Sequence, residues 1–185
     1  MKILAISGSL RQGSHNTDLL RGAAAGAPDG VDIELYHGLK DIPPYDADDD
    51  IPGDQPIAVR HFKDALDSAD AILISTPEYN SSIPGVLKNA VDWASRPIAT
   101  NPLRNKPVAV IGASTGMFGA VWAQAELRKV LGAAGARVTE VELAVGHAHE
   151  HLDESGHPDD PAQEEALLDS VKLLLGELEN AEVAA

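Results

Sequence analysis

The chain has 185 residues, 44% of them hydrophobic, which suits one ordinary domain, residues 1–185, able to bury a real core. It has no Cys, so disulfides, thiol nucleophiles, Cys-bound zinc and iron–sulfur clusters are excluded, and a reducing, cytoplasmic setting is expected. A formal charge of -15 argues against non-specific nucleic-acid binding and requires that any anionic ligand meet local positive groups.

Ile3–Ile6 reads as a first strand, too short an apolar run for a signal peptide or a membrane span. Ser7-Gly8-Ser9-Leu10-Arg11-Gln12-Gly13-Ser14-His15-Asn16-Thr17 then leads into a helical stripe of Leu19, Leu20, Ala23 and Ala24. Amides at a helix start carry partial positive charge and point at any anion placed there. Ser9, Ser14 and Asn16 add neutral hydrogen bonds and Arg11 a fixed charge, enough for one phosphate monoester. The spacing of Gly8 and Gly13 imitates a nucleoside-triphosphate loop, but Ser14 stands where that motif needs Lys. Leu10 likewise breaks the dinucleotide fingerprint. The plain reading is that Ser14 caps the helix while Gly8 and Gly13 make turns.

Val31–Leu35 alternates as an edge strand should, and Tyr36–Pro56 is a long connection with no clear helix. Within it Asp46, Asp48 and Asp50 copy three calcium-loop positions, yet Ile51 and Ile57 stand where that loop needs Gly and Glu. Ala58, Phe62, Ala65, Leu66 and Ala69 form a second helical stripe, and Ala71–Ile74 reads as a strand buried on both faces. Pro77-Glu78-Tyr79-Asn80-Ser81-Ser82 is a polar, aromatic loop of the kind that holds ligands; the plain reading of Tyr79 is a loop anchor. Pro84 fits the start of a third helix carrying Leu87, Ala90, Val91 and Ala94.

Val108–Ile111 is a fourth strand, followed by the Gly/Ser-rich turn Gly112-Ala113-Ser114-Thr115-Gly116-Met117-Phe118-Gly119. A helix with Leu127, Val130, Leu131 and Ala134 comes next, then a fifth strand over Val138–Val145. His147, His149 and His151 imitate a metal-binding spacing, but a structural or solvated role is expected and no metal. The last helix begins with Asp160 as N-cap, Pro161 at the first helical position and Gln163 three after the cap; Asn180–Ala185 is expected to fray.

Strands alternating with helices make a parallel sheet covered on both faces. The second and fifth strands alternate and belong at the edges, which with right-handed crossovers gives an α/β, flavodoxin-like three-layer sandwich with a five-stranded parallel sheet in the order 2-1-3-4-5. A ligand crevice then opens between strands one and three, where the first two loops meet.

Gly8 to Asn16 and Pro77 to Asn80 resemble the phosphate loop and the ring loop of the NADPH-dependent FMN reductase family, which includes quinone, azo and chromate reductases. The resemblance runs from Ile3 to about Asp153 and implies FMN as cofactor. Residues matching Ser9, Arg11, Ser14 and Asn16 contact its phosphate in that family. Glu78, Tyr79 and Asn80 lie beside its ring partly through main-chain groups, so Ala at position 80 is expected to have little effect. With their neighbours His15, Thr17 and Pro77, and with Ser114, Thr115 and Gly116 closing the other side, these form the expected cofactor-binding set.

The resemblance further implies that NADPH or NADH passes hydride to flavin N5, leaves, and is replaced by a quinone, azo compound, metal oxyanion or free flavin. The cofactor carries that chemistry, so no catalytic acid or base is expected. Small-molecule acceptors are the implied partners, with no nucleic acid or membrane, in a homodimer or homotetramer to which an exposed Trp93 or Trp122 contributes. A flavodoxin-type electron carrier, without direct NAD(P)H oxidation, shares the fold, acidity and size and is the alternative. One stretch departs from the family pattern: Ala120 and Trp122 replace its usual Gly and Arg.

Overall fold

The computed structural model describes residues 1–183. Strands β1 (Lys2–Ser7), β2 (Asp32–Leu35), β3 (Ala71–Thr76), β4 (Pro107–Ala113), β5 (Arg137–Val138) and β6 (Ala144–Val145) alternate with helices α1 (His15–Ala25), α2 (Ile57–Ser68), α3 (Gly85–Ala94), α4 (Val121–Ala133), α5 (Ala148–His151) and α6 (Pro161–Val183). The strands form one all-parallel sheet in the order β2-β1-β3-β4-β5, with β6 also on β4. β1, β3 and β4 are buried almost throughout, whereas β2 alternates between exposed and half-buried residues, as an edge strand does.

Each central strand feeds two cores, because successive side chains point to opposite faces. Leu4, Ile6, Ile72, Ile74, Val108 and Val110 pack against α2, α3 and α4. Ile3, Ala5, Ala71, Leu73, Ala109 and Ile111 pack against α1 and α6.

The fifth strand is not continuous over Val138–Val145: it is split into β5 and β6. In the gap the Arg128 Nη2 donates to Val110 O at 2.8 Å and Val141 O at 2.7 Å, so a side chain does the work of ladder amides. Burial pushes the Arg128 guanidinium below its ordinary pKa and Glu142 opposes this; it remains a cation. Val141 and Leu143 stay buried in the gap, so the alternating pattern holds where the ladder does not.

The Tyr36–Pro56 connection contains a 3-10 turn at Leu39–Asp41 and is pinned to α3. Trp93 Nε1 and Asn89 Nδ2 both donate to Pro43 O at 2.8 Å, and Tyr45 N–H donates to Asn89 Oδ1 at 2.8 Å. Trp93 is therefore buried, edge-on to Tyr45, and is no surface tryptophan; the indole N–H required a buried acceptor, and the connection supplies it. Asp160 caps α6 through Ala162 and Gln163 amides, but among the described residues Gln163 Oε1 has no partner, so the reciprocal arm of the capping box is not made. The end expected to fray is helical through Val183; Ala184 and Ala185 lie outside the described residues.

Candidate functional site

Three turns leave the carboxyl ends of β1, β3 and β4 side by side. Register places Ser7 opposite Ser75 and Thr76 opposite Gly112. The first turn packs closely on the second and on α3: a Cβ on Gly8 would lie 2.9 Å from Leu87 Cδ2 and 3.2 Å from Pro77 Cδ, so glycine permits this approach without displacing either.

Asn16 reaches two of these strand ends. Its Nδ2 donates to Ala113 O at 2.9 Å, and its Oδ1 accepts from Ser75 Oγ at 2.8 Å and Ala113 N–H at 3.0 Å. The buried side chain thus anchors the start of α1 to β3 and β4. Thr17 Oγ1 donates to Ser7 Oγ at 2.9 Å, a second tie between helix and strand. Ser14, the N-cap residue, is buried yet makes no side-chain cap bond, which leaves its hydroxyl for another acceptor or donor. Among the described residues the His15 and Asn16 amides have no acceptor, as befits the first turn of a helix. Arg11 is exposed above this turn, and Ser9 Oγ accepts the Arg11 N–H at 3.4 Å. Burial, with Arg11 second, holds the His15 imidazole below its ordinary range, so it is neutral at pH 7.

The second turn closes on itself. Tyr79 N–H and Ser82 N–H each donate to the other residue's carbonyl, at 3.1 and 3.2 Å, and Asn80 and Ser81 between them have φ of 54° and 61°. Positive φ at both central residues makes this a type I′ turn, which Asn tolerates. Tyr79 and Asn80 are exposed, whereas Pro77 is buried. The Glu78 side chain does not face the crevice as a free carboxylate: Oε2 accepts the Trp122 and Ala123 amides at 3.0 and 3.1 Å, capping α4. Sequence reading missed this role, since the cap comes from a residue remote in the chain.

The third turn is fixed by Ser114 Oγ, which accepts Gly116 N–H at 3.2 Å, and by Gly116 O, which accepts His147 N–H at 3.0 Å. A Cβ on Gly146 would lie 2.2 Å from Met117 O, so that glycine permits the contact. Thr115 and Gly116 are exposed, next to exposed Met117, Phe118 and Trp122. Phe118 and Trp122 meet edge-on at 4.9 Å. All thirteen expected site residues therefore lie in these three turns or at the start of α1, with the side chains of Ser9, Asn16, Thr17, Glu78 and Ser114 already engaged by protein groups. His151 pairs with Asp159, and among the described residues no three His, Asp or Glu side chains gather as a metal site would require.

Doubly wound parallel sheets bind ligands at this edge, where the strand order reverses. With one anion-ready helix start and two further turns beside it, the arrangement defines a flavodoxin-like, mononucleotide-binding α/β protein. The chain belongs to the NADPH-dependent FMN reductase family, whose model matches residues 1–150. It is 49% identical to an NAD(P)H-dependent FMN reductase of Pseudomonas aeruginosa over 131 residues, 71% of this chain and 69% of that one. It is 39% identical to a 2-hydroxy-1,4-benzoquinone reductase of a Burkholderia species over 158 residues, 85% of each. The solved structure of FerB, a flavoenzyme NAD(P)H:acceptor oxidoreductase of Paracoccus denitrificans, superimposes with a TM-score of 0.82 at 34% identity, covering 97% of each chain. The protein is thus an oxidoreductase that works with FMN and a nicotinamide nucleotide.

The residues present fit FMN's single phosphate. The buried Ser14 hydroxyl without a cap bond, two first-turn amides without acceptors, and a nearby Arg together match one monoester dianion.

Proposed function

We propose that the protein is an FMN-dependent NAD(P)H:quinone oxidoreductase. Ser9, Arg11, Ser14 and the amides of His15 and Asn16 hold the phosphate, Thr17 ties this loop to β1 through Ser7, and Pro77–Asn80 and Ser114–Gly116 flank the ring. The Asn16 side chain acts as a positioning group, fixing the amides it carries against β3 and β4. Held by these residues, FMN would supply the two-electron chemistry that links NAD(P)H to a quinone, with the balance of the quinol's protons coming from solvent.

The observation that carries the acceptor class is the surface beside the crevice. Tyr79, Met117, Phe118 and Trp122 are each about half exposed or more, and Trp122 stands where the family pattern has Arg. A flat, neutral ring gains from apolar and aromatic contact, whereas an oxyanion such as chromate needs a cation there. Two relatives point the same way, the benzoquinone reductase and a quinone reductase of Escherichia coli that is 38% identical over 131 residues. The homodimer or homotetramer that the resemblance implies would draw on the Phe118–Trp122 pair, since Trp93 is buried. A cytoplasmic location follows from the reductant, which is supplied there.

The test is anaerobic addition of NADPH to flavin-loaded protein, followed by 1,4-benzoquinone or chromate. Bleaching without any added reductase, and faster recovery of colour with the quinone, is the expected result. Bleaching only when a reductase is added would return the protein to the electron carriers. Arg11→Ala is expected to weaken FMN binding about tenfold, read by fluorescence titration; unchanged affinity removes Arg11 from the phosphate site.

A further inference from the structure

The phosphate loop has a second side. A cavity of about 270 Å³ opens where the loop faces β2, away from β3, and Arg11, Arg21 and Lys40 line it together with His37. The whole chain has 14 Lys and Arg against 29 Asp and Glu, yet no carboxylate lines this cavity. Arg21 is tied to Asp18 at 2.7 Å on its own helix, while among the described residues Arg11 and Lys40 form no salt bridge. Behind the lining, Asp41 acts on the Tyr36 hydroxyl, and Glu34, tied to Lys2 at 2.8 Å, acts on His37. In so acidic a protein, cations left unpaired around one opening amount to a local anion site.

This cavity adjoins another of about 310 Å³, the two sharing Arg21, Leu35 and His37 in their walls. Its remaining lining is Ala5, Leu20, Ala24 and Ile33, an apolar floor between α1 and β2. A group of cations therefore lies beside an apolar wall against which a flat ring could pack.

We propose that these adjoining cavities are a subsite for the adenosine end of the nicotinamide donor, with Arg21 and Lys40 recognising its 2′-phosphate and so favouring NADPH over NADH. The assignment rests on the oxidoreductase reading of the site and concerns its donor. One monoester dianion is already served by Arg11, Ser14 and the helix amides, so Arg21 and Lys40 exceed what FMN requires. A dinucleotide is longer than a mononucleotide. With its nicotinamide over the ring between the second and third turns, a donor running back along the cofactor overhangs the phosphate loop toward β2.

The experiment uses the full chain loaded with FMN. Wild-type protein should show a higher kcat/KM with NADPH than with NADH, and should bind adenosine 2′-phosphate more tightly than adenosine 5′-phosphate by calorimetry. Arg21→Gln and Lys40→Gln should each lower kcat/KM for NADPH and affinity for adenosine 2′-phosphate about tenfold, with NADH and FMN affinity changed less than about twofold. Retained FMN binding also shows that the variants fold. Equal use of the two donors by wild type overturns the subsite while leaving the oxidoreductase reading intact; absence of bleaching by either donor overturns that reading first. Variants that lose FMN affinity instead would make the cations part of the flavin phosphate site. Variants unchanged toward both donors would leave them without this role.

Discussion

Asn80 is a backbone choice more than a side-chain choice. It sits at φ 54° with Ser81 at 61°, and its exposed amide has no hydrogen-bond partner among the described residues. An L-residue in the left-handed region costs roughly 1–2 kcal/mol, least for Gly and Asn and most for a β-branched residue. Asn80→Gly should therefore leave both stability and FMN affinity near wild type. Asn80→Val should lower the unfolding free energy by about 1–2 kcal/mol and weaken FMN binding, both read from denaturation midpoints and flavin titration. If the valine variant bound FMN normally, the turn's backbone would not be what meets the ring. Ala120 shows how such terms can cancel. It too is left-handed, at φ 65°, where the family pattern has Gly. Relief of roughly 1–2 kcal/mol in a glycine variant is offset by about 0.5–1 of chain entropy and about 0.8 for the buried methyl, which explains why alanine is tolerated.

At the scale of elements, the order of strands and helices was legible because burial on one or both faces writes itself into alternation or into continuous apolar runs. Val141, Leu143 and Val145 alternate as read, yet β5 and β6 are separated, because the residue that fills the gap is on α4 and 13 residues before Val141. The same is true of Glu78, whose carboxylate caps a helix 44 residues away. Neither tie has a local signature. Arg128→Met keeps much of the packing but leaves the Val110 and Val141 carbonyls without their donor, at about 1–3 kcal/mol for each buried acceptor. A loss of about 2–6 kcal/mol is expected in chemical denaturation, against about 0.5 or less for an ordinary surface arginine. A shift of only the latter size would mean that water takes over both carbonyls and that the guanidinium does not hold the split edge.

For the molecule as a whole, the family model ends at residue 150, but the second core does not. Leu167, Val171 and Leu174 of α6 are almost completely buried on the sheet face they share with α1, against strand residues such as Leu73 and Ile111. The apolar stripe and the Asp160 cap made this helix legible in the sequence even where the family pattern stops. Burying each of those three side chains contributes roughly 1.5–3 kcal/mol, so together they supply about 5–9 kcal/mol, comparable to the roughly 5–15 kcal/mol that holds a domain folded. We therefore propose that the folding unit extends through α6, as a single domain over residues 1–185, rather than ending with the matched region. A chain cut after Asp159 should lose cooperative thermal unfolding and FMN uptake together, because an open sheet face cannot hold β1, β3 and β4 in the register that sets the three turns. A cut chain that still melted in one sharp transition and bound FMN would show that α1 alone covers that face well enough, and that α6 is an accessory to a smaller domain.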